Sequence, residues 1–228
     1  MRITYDFHIH SCLSPCGDND MTPNNIVGMA GILELDAIAV SDHNSALNLP
    51  AVCKLGAEQG ILVIPAIEIT TAEEVHVLSL FPSLEAALYM GEELYSMLPD
   101  VSNDPDIFGD QLILDEKDRI TGTVEKLLIN ATSLSIEKVF DKVRSYGGVP
   151  IPAHIDKTSY SVISNLGFIP PELGVQAIEV KNPPYPVAEN YKIITDSDAH
   201  TLETMSLHQC GVLSVSGSTV SDVLAYLQ

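Results

Sequence analysis

Apolar residues fall in short, nearly continuous runs along this chain, each closed by a polar loop and often followed by a helical pattern. Residues 3–9, 36–40, 61–69, 75–81, 149–155, 176–180, 192–195 and 211–215 read as strands. Between them, Thr22 and Pro23 read as a helix cap followed by proline at the first helical position. Ile26, Val27, Met29, Ala30 and Leu33 supply that helix's apolar face. A second helix over 51–59 ends at Gly60, and Ser135 opens a third with Ile136, Val139, Phe140 and Val143 on one face. A last helix covers 218–227. Strands alternating with helices predict a parallel α/β sheet, and their Ile, Val, Leu and Ala content suits a sheet covered on both faces. Seven or eight such units closed into a barrel is the expected architecture.

The stretch between His76 and His154 is too long for one crossover. Leu84, Ala87, Leu88, Leu94, Tyr95 and Leu98 predict an amphipathic helix, 103–109 a loop, and 111–114 with 119–124 a hairpin. Residues 1–228 are therefore expected to form a single domain, with an elaboration at about 85–135.

Composition narrows the function. The 228 residues include 11 Lys and Arg against 31 Asp and Glu, a formal net charge of −20. Such a chain is not built to grip nucleic-acid phosphates non-specifically or to sit on an anionic membrane. No apolar stretch is long enough to span a bilayer, and residues 1–6 do not open an export signal. Cys12, Cys16, Cys53 and Cys210 form no disulfide-dense pattern, so free thiols and a cytoplasmic location are expected.

The chemistry lies in the histidines. Six of the seven, His8, His10, His43, His76, His154 and His200, sit at the edges of strand runs, with Glu68 and Asp198 in matching places. His8 and His10 are two apart and share a strand face. Parallel strands of a barrel deliver their ends to one rim, so these donors would converge. Imidazole mixed with carboxylate suits Zn, Mn or Fe better than Mg or Ca. So many donors call for two or three divalent ions, with Glu68 able to bridge a pair. A metal-bound hydroxide attacking phosphorus is the reaction such a cluster supplies.

The elements Asp6-x-His8-x-His10, Ser41-Asp42-His43, Glu68, His76, Pro152-Ala153-His154 and Ser197-Asp198-Ala199-His200 together resemble the PHP (polymerase and histidinol phosphatase) superfamily, in its order and over residues 6 to 200. The resemblance implies a distorted (β/α)7 TIM-like barrel with a trinuclear metal site at the C-terminal rim of the strands. It also implies metal-dependent hydrolysis of a phosphoester. One metal would lie on His8, His10, Glu68 and Asp198, a second on Glu68, His76 and His154, and a third on His43, His200 and a donor from the first loop. Asp18 is the preferred loop donor, with Cys16 and Asp20 as alternatives. Of these residues, His43, Glu68 and His200 are expected to act in catalysis.

Asp6 and Asp42 either orient imidazoles or make local hydrogen bonds. Asp196 is a weaker case of the same, and Glu73 and Glu74 read as solvated loop acids. Lys157, Lys181 and Asn182 are candidates for contact with a substrate phosphate, and His208 reads as an ordinary histidine. The acidic surface favours a small phosphorylated metabolite, a nucleotide or a short oligonucleotide end over long nucleic acid. Two rival readings stand beside this one: an amidohydrolase-like C–N hydrolase or deaminase, which also starts from His-x-His, and a non-catalytic metal-binding module.

Overall fold

The first run folds as β1 (Arg2–Ile9), which pairs in parallel with β2 (Ala37–Val40); β2 pairs in parallel with β3 (Leu62–Val63). The computed structural model describes residues 1–186, 190–207 and 210–228. Between these strands lie α1 (Pro23–Ile32), capped by the Thr22 hydroxyl, and α2 (Leu49–Gln59), which ends on Gly60 in the left-handed region (φ 75). Residues 61–69 do not form one strand. Pro65, which has no N–H for a ladder, falls between β3 and β4 (Ala66–Thr70).

Next come β5 (His76–Leu80), α3 (Leu84–Met97), α4 (Pro105–Phe108) and a hairpin of β6 (Leu112–Leu114) with β7 (Ile120–Thr123). The chain continues through α5 (Ile136–Ser145), β8 (Val149–Pro152), α6 (Val162–Leu166), β9 (Ala177–Glu179), β10 (Lys192–Ile194), α7 (Leu202–Leu207), β11 (Gly211–Ser214) and α8 (Val220–Leu227).

The wholly parallel sheet expected from the alternation is not what forms. β4, β5 and β8 make an antiparallel trio, and β11 runs antiparallel to β1. The link from Thr70 to His76 is too short for the dozen or more residues a parallel crossover needs, so β5 must turn back. Four small sheets result: β11-β1-β2-β3, β4-β5-β8, β9-β10 and β6-β7. Isolated bridges join His43 to Glu68 and Ile9 to Ala199 across them, but no continuous ladder closes a barrel among the described residues. The fold is mixed α/β.

Alternate residues of these strands separate into two apolar clusters. Ile3, Tyr5, Phe7, Ala37, Ala39, Ala66, Leu78, Ile151, Ala177 and Ile194 meet in one. Ile9, Ile38, Val40, Ile67, Ile69, Val77 and Ile178 join the helices α1, α2, α3 and α5 in the other. The first cluster thus takes side chains from three of the four sheets. Its inner face leads to the candidate ligands. Elsewhere, a hollow of about 580 Å³ between α3 and the β6-β7 hairpin is lined by Leu88, Tyr95 and Ile113, and by none of the candidate ligands. No helix among the described residues is long and apolar enough to cross a membrane.

Candidate metal centre

A bulge sets the two leading histidines. Asp6 pairs with Ile38 but Ile9 pairs with Val40, so β1 carries one extra residue against β2. Before the bulge Tyr5 faces the inner cluster. After it Ile9 faces the helices, which turns His8 and His10 inward above Tyr5 and Phe7. Glu68 follows Ala66 on the inner face of β4, Glu179 follows Ala177 on β9, and His154 follows Ala153 beyond β8. His76 is the first residue of β5. Because β5 runs backwards, its start lies beside the end of β4, with Thr70 paired to His76.

Glu68 is the hub. Its Oε1 lies 2.8 Å from His76 Nδ1, 3.1 Å from His154 Nε2 and 3.2 Å from His8 Nε2. Its Oε2 lies 3.1 Å from His43 Nδ1 and 3.2 Å from His10 Nε2. Asp198 Oδ1 closes one side, 3.4 Å from His10 Nε2 and 3.6 Å from His8 Nε2. The two Nε2 atoms of His8 and His10 are themselves 3.2 Å apart. His154 and Asp198 both sit in left-handed backbone (φ 29 and φ 50). Such positions cost about 1–3 kcal/mol each and persist where the surrounding structure holds them.

Buried acceptors fix the ring orientations. Glu179, noted in the 176–180 run but given no role there, brings both carboxylate oxygens to 3.0 Å from His8 Nδ1 and accepts the His154 backbone N–H at 2.9 Å. A single acid inside the apolar run 177–180 was the signal that could have found it. Asp42 accepts the Ser14 hydroxyl at 2.7 Å, so the Ser14 oxygen is left to accept from His10 Nδ1 at 2.9 Å. The Nε2 lone pairs of both histidines are thereby aimed at Glu68 and Asp198. Asp6 accepts the backbone N–H groups of His8 and Ser197, and Asp196 that of Phe7; they position chain and not rings. Glu73 is no solvated loop acid, for it accepts the N–H of Ile136 at the start of α5.

The donor set fits divalent cations. Three groups of possible ligands each gather within 4.8 Å: His8, His10 and Asp198; His43, Glu68 and His76; and His10, Cys16, His43 and His200. Among buried atoms, His43 Nδ1, His76 Nε2 and His154 Nδ1 have no hydrogen-bond partner. Nitrogen and carboxylate lone pairs packed this closely need positive charge between them. Without a cation, protons supply it. Burial opposes charge on His8, yet Glu179, Glu68 and Asp198 carry it well above the usual histidine range. His10, against the same burial, is raised to about 9 by Asp198 and Glu68. Burial and the neighbouring His10 hold His200 down at about 4, so its lone pair is free at neutral pH.

A bound metal replaces those protons and stabilises the folded chain. Saturating zinc or manganese at about 100 times Kd should add about 2.7 kcal/mol, raising the melting temperature by roughly 5–10 °C over chelator-treated protein. Identical melting curves with and without metal would count against the centre.

The structure does not bring every expected residue in. Asp18 is exposed; its carboxylate accepts the Asp20 backbone N–H, and only its own N–H, bonded to His200 O, reaches the centre. Asp20 is exposed as well. Cys16, at the solvent edge, is the loop residue that joins His10, His43 and His200. Cys12 is buried and belongs to none of the three groups. Lys157 donates to Asp198, and Lys181 Nζ lies 3.8 Å from the same oxygen. Asn182 instead binds Asp156. His208 lies outside the described residues.

No protein-family model matches the chain, and no curated protein does. Solved structures do. Endonuclease Q from Pyrococcus furiosus covers all of this chain at 17% identity with a TM-score of 0.73, while the chain spans 56% of that protein. Endonuclease Q in complex with a 27-mer duplex carrying an abasic lesion gives a TM-score of 0.72 at 16% identity, again over 100% and 56% of the two chains. A two-domain protein from Bacteroides vulgatus containing a predicted PHP-like metal-dependent phosphoesterase matches over 100% of this chain and 62% of its own, at 17% identity and a TM-score of 0.61. An amidohydrolase from Chromobacterium violaceum with bound sulfate matches over 94% and 93%, at 15% identity and a TM-score of 0.59. The likeness is one of fold. It supports the resemblance to the PHP superfamily carried by the motifs.

Proposed function

We propose that the chain is a metal-dependent hydrolase of phosphoesters within the PHP superfamily. The observation that supports this most is the single buried carboxylate of Glu68, approached by five imidazoles within 3.2 Å. His8, His10, Glu68 and Asp198 would hold one metal, Glu68, His76 and His154 a second, and His43 and His200 with a donor from the first loop a third. When bound, the metals lower the pKa of water and stabilise charge developing on phosphate oxygens. Glu68 would be shared between two of the metals, and His43 and His200, kept neutral by burial, offer lone pairs and not protons. Glu179 and Ser14 hold His8 and His10 in register. Lys157 and Lys181 place two ammonium groups at Asp198 in a chain poor in bases, and are proposed to neutralise the substrate phosphate. Asn182, taken up by Asp156, has no direct part.

The net charge of −20 favours a small phosphorylated substrate, nucleotide or oligonucleotide end. Endonuclease Q shares the fold and takes a duplex, so fold alone does not set substrate size. The amidohydrolase neighbour gives a second reading, C–N hydrolysis. It has less use for a bridging Glu68 and the Asp198-x-His200 pair.

A panel of phosphomonoesters, phosphodiesters, abasic duplex DNA and amides, assayed with Mn or Zn, tests these readings. Turnover of small phosphoesters is expected, with little on duplex. Hydrolysis of amides alone would favour the second reading, and no turnover by metal-replete protein would sink both.

A further inference from the structure

The three ligand groups differ in chemistry. Two contain a carboxylate, whereas the third consists of Cys16, His10, His43 and His200. We propose that Cys16 is a thiolate ligand, so that the position it shares with His43 and His200 is a soft site. It would prefer zinc or another borderline-soft ion to manganese or magnesium. The inference rests on the metal-dependent reading above and adds that the cluster is unequal in its metal preference.

Independent features support it. The His43 ring is buried in this group, and its Nδ1 stands 3.1 Å from Glu68 Oε2 without forming a hydrogen bond, a contact between lone pairs that a cation would relieve. His200 Nδ1 donates to the Asp198 carbonyl at 2.9 Å, leaving Nε2 as its lone-pair atom. The loop that carries the thiol is held on both sides. Gly17 N–H bonds Ser14 O at 2.9 Å, Asp18 N–H bonds His200 O at 2.9 Å, and Ser14 is fixed by Asp42. A Cβ on Gly17 would come within 2.2 Å of the Ser11 carbonyl oxygen, so the turn beside Cys16 closes only with glycine. Asp18, the alternative donor, is exposed, accepts the Asp20 N–H and belongs to none of the three groups. Thiolate and imidazole donors suit Zn, while carboxylate and water suit Mn and Mg. On binding, the thiol proton leaves to solvent and sulfur donates the vacated pair to the cation.

Cobalt(II) added to the metal-free full chain is the probe. Wild-type protein should show d–d absorption together with a near-ultraviolet sulfur-to-cobalt charge-transfer band. Cys16→Ser should lose that band and bind its last cobalt at least about tenfold more weakly. Cys16→Asp should restore the stoichiometry without the band, and Asp18→Asn should behave as wild type. Manganese should fill the position less readily than zinc in wild type, and the preference should narrow in Cys16→Asp. Cobalt bound with no charge-transfer band, a band that survives Cys16→Ser, or loss of the last cobalt in Asp18→Asn would each overturn the assignment while leaving the metal centre standing. Failure of the wild type to bind cobalt at all would overturn both.

Discussion

Glu68→Gln is expected to empty the centre. The side chain is 1% exposed, and burial alone would raise its pKa; His76 and His8 instead hold it well below the usual carboxylate range. Glutamine keeps the volume but removes the charge, and one of its two ends becomes a donor facing imidazole nitrogens. The carboxylate that two cations would share is gone. Removing outer partners of metal ligands already costs about 10–100-fold, so loss of this shared ligand should lower turnover by more than about 100-fold. Bound metal should fall with it. Elemental analysis showing wild-type metal content in Glu68→Gln would remove the basis of the proposed function.

Glu179→Ala should have the next largest effect, on stability as well as on metal. It strips the acceptor from His8 Nδ1–H and from the His154 backbone N–H, both fully buried. Breaking a buried charged pair by removing one partner costs about 3–5 kcal/mol, and metal affinity should drop about 10–100-fold.

The sign with pH follows from both groups. In the metal-free protein Glu179 is lowered, against its burial, by His8, so its contribution is present above the unfolded carboxylate value and fades as pH falls through the folded one. His8 is raised, so its contribution is full below the unfolded histidine value and fades as pH rises through the folded one. The stability gap between wild type and Glu179→Ala should therefore be widest between the acidic and alkaline limits and shrink towards both. Denaturant titrations of metal-free protein across pH measure it, and a gap that does not vary with pH would refute the pairing. Glu179→Gln, which keeps an acceptor oxygen, should be milder.

Much of this centre was legible along the chain because ligand chemistry is local. Imidazole and carboxylate at the edge of an apolar run conflict with burial unless something pairs them, and His8, His10, Glu68, His154 and Asp198 each made that conflict visible. The α/β content was legible in the same way, through strand and helix periodicity, whereas the parallel, closed arrangement expected from it is not what forms. Glu179 was less so, because one acid in a three-residue strand carries no spacing signal.

What the sequence by itself determined is which donors exist and that they stand beside strand edges, since residue type and hydrophobic period depend only on neighbours in the chain. Tertiary structure alone decided the antiparallel course of β5 that brings His76 round to Glu68, and the bulge that turns His8 and His10 inward. It also placed Cys16, and not the Asp18 carboxylate, beside His10, His43 and His200. Each depends on pairing or hydrogen bonding between segments distant in the chain: β4 with β5, β1 with β2, and the first loop with His200. Counting along one strand or one loop does not contain those contacts.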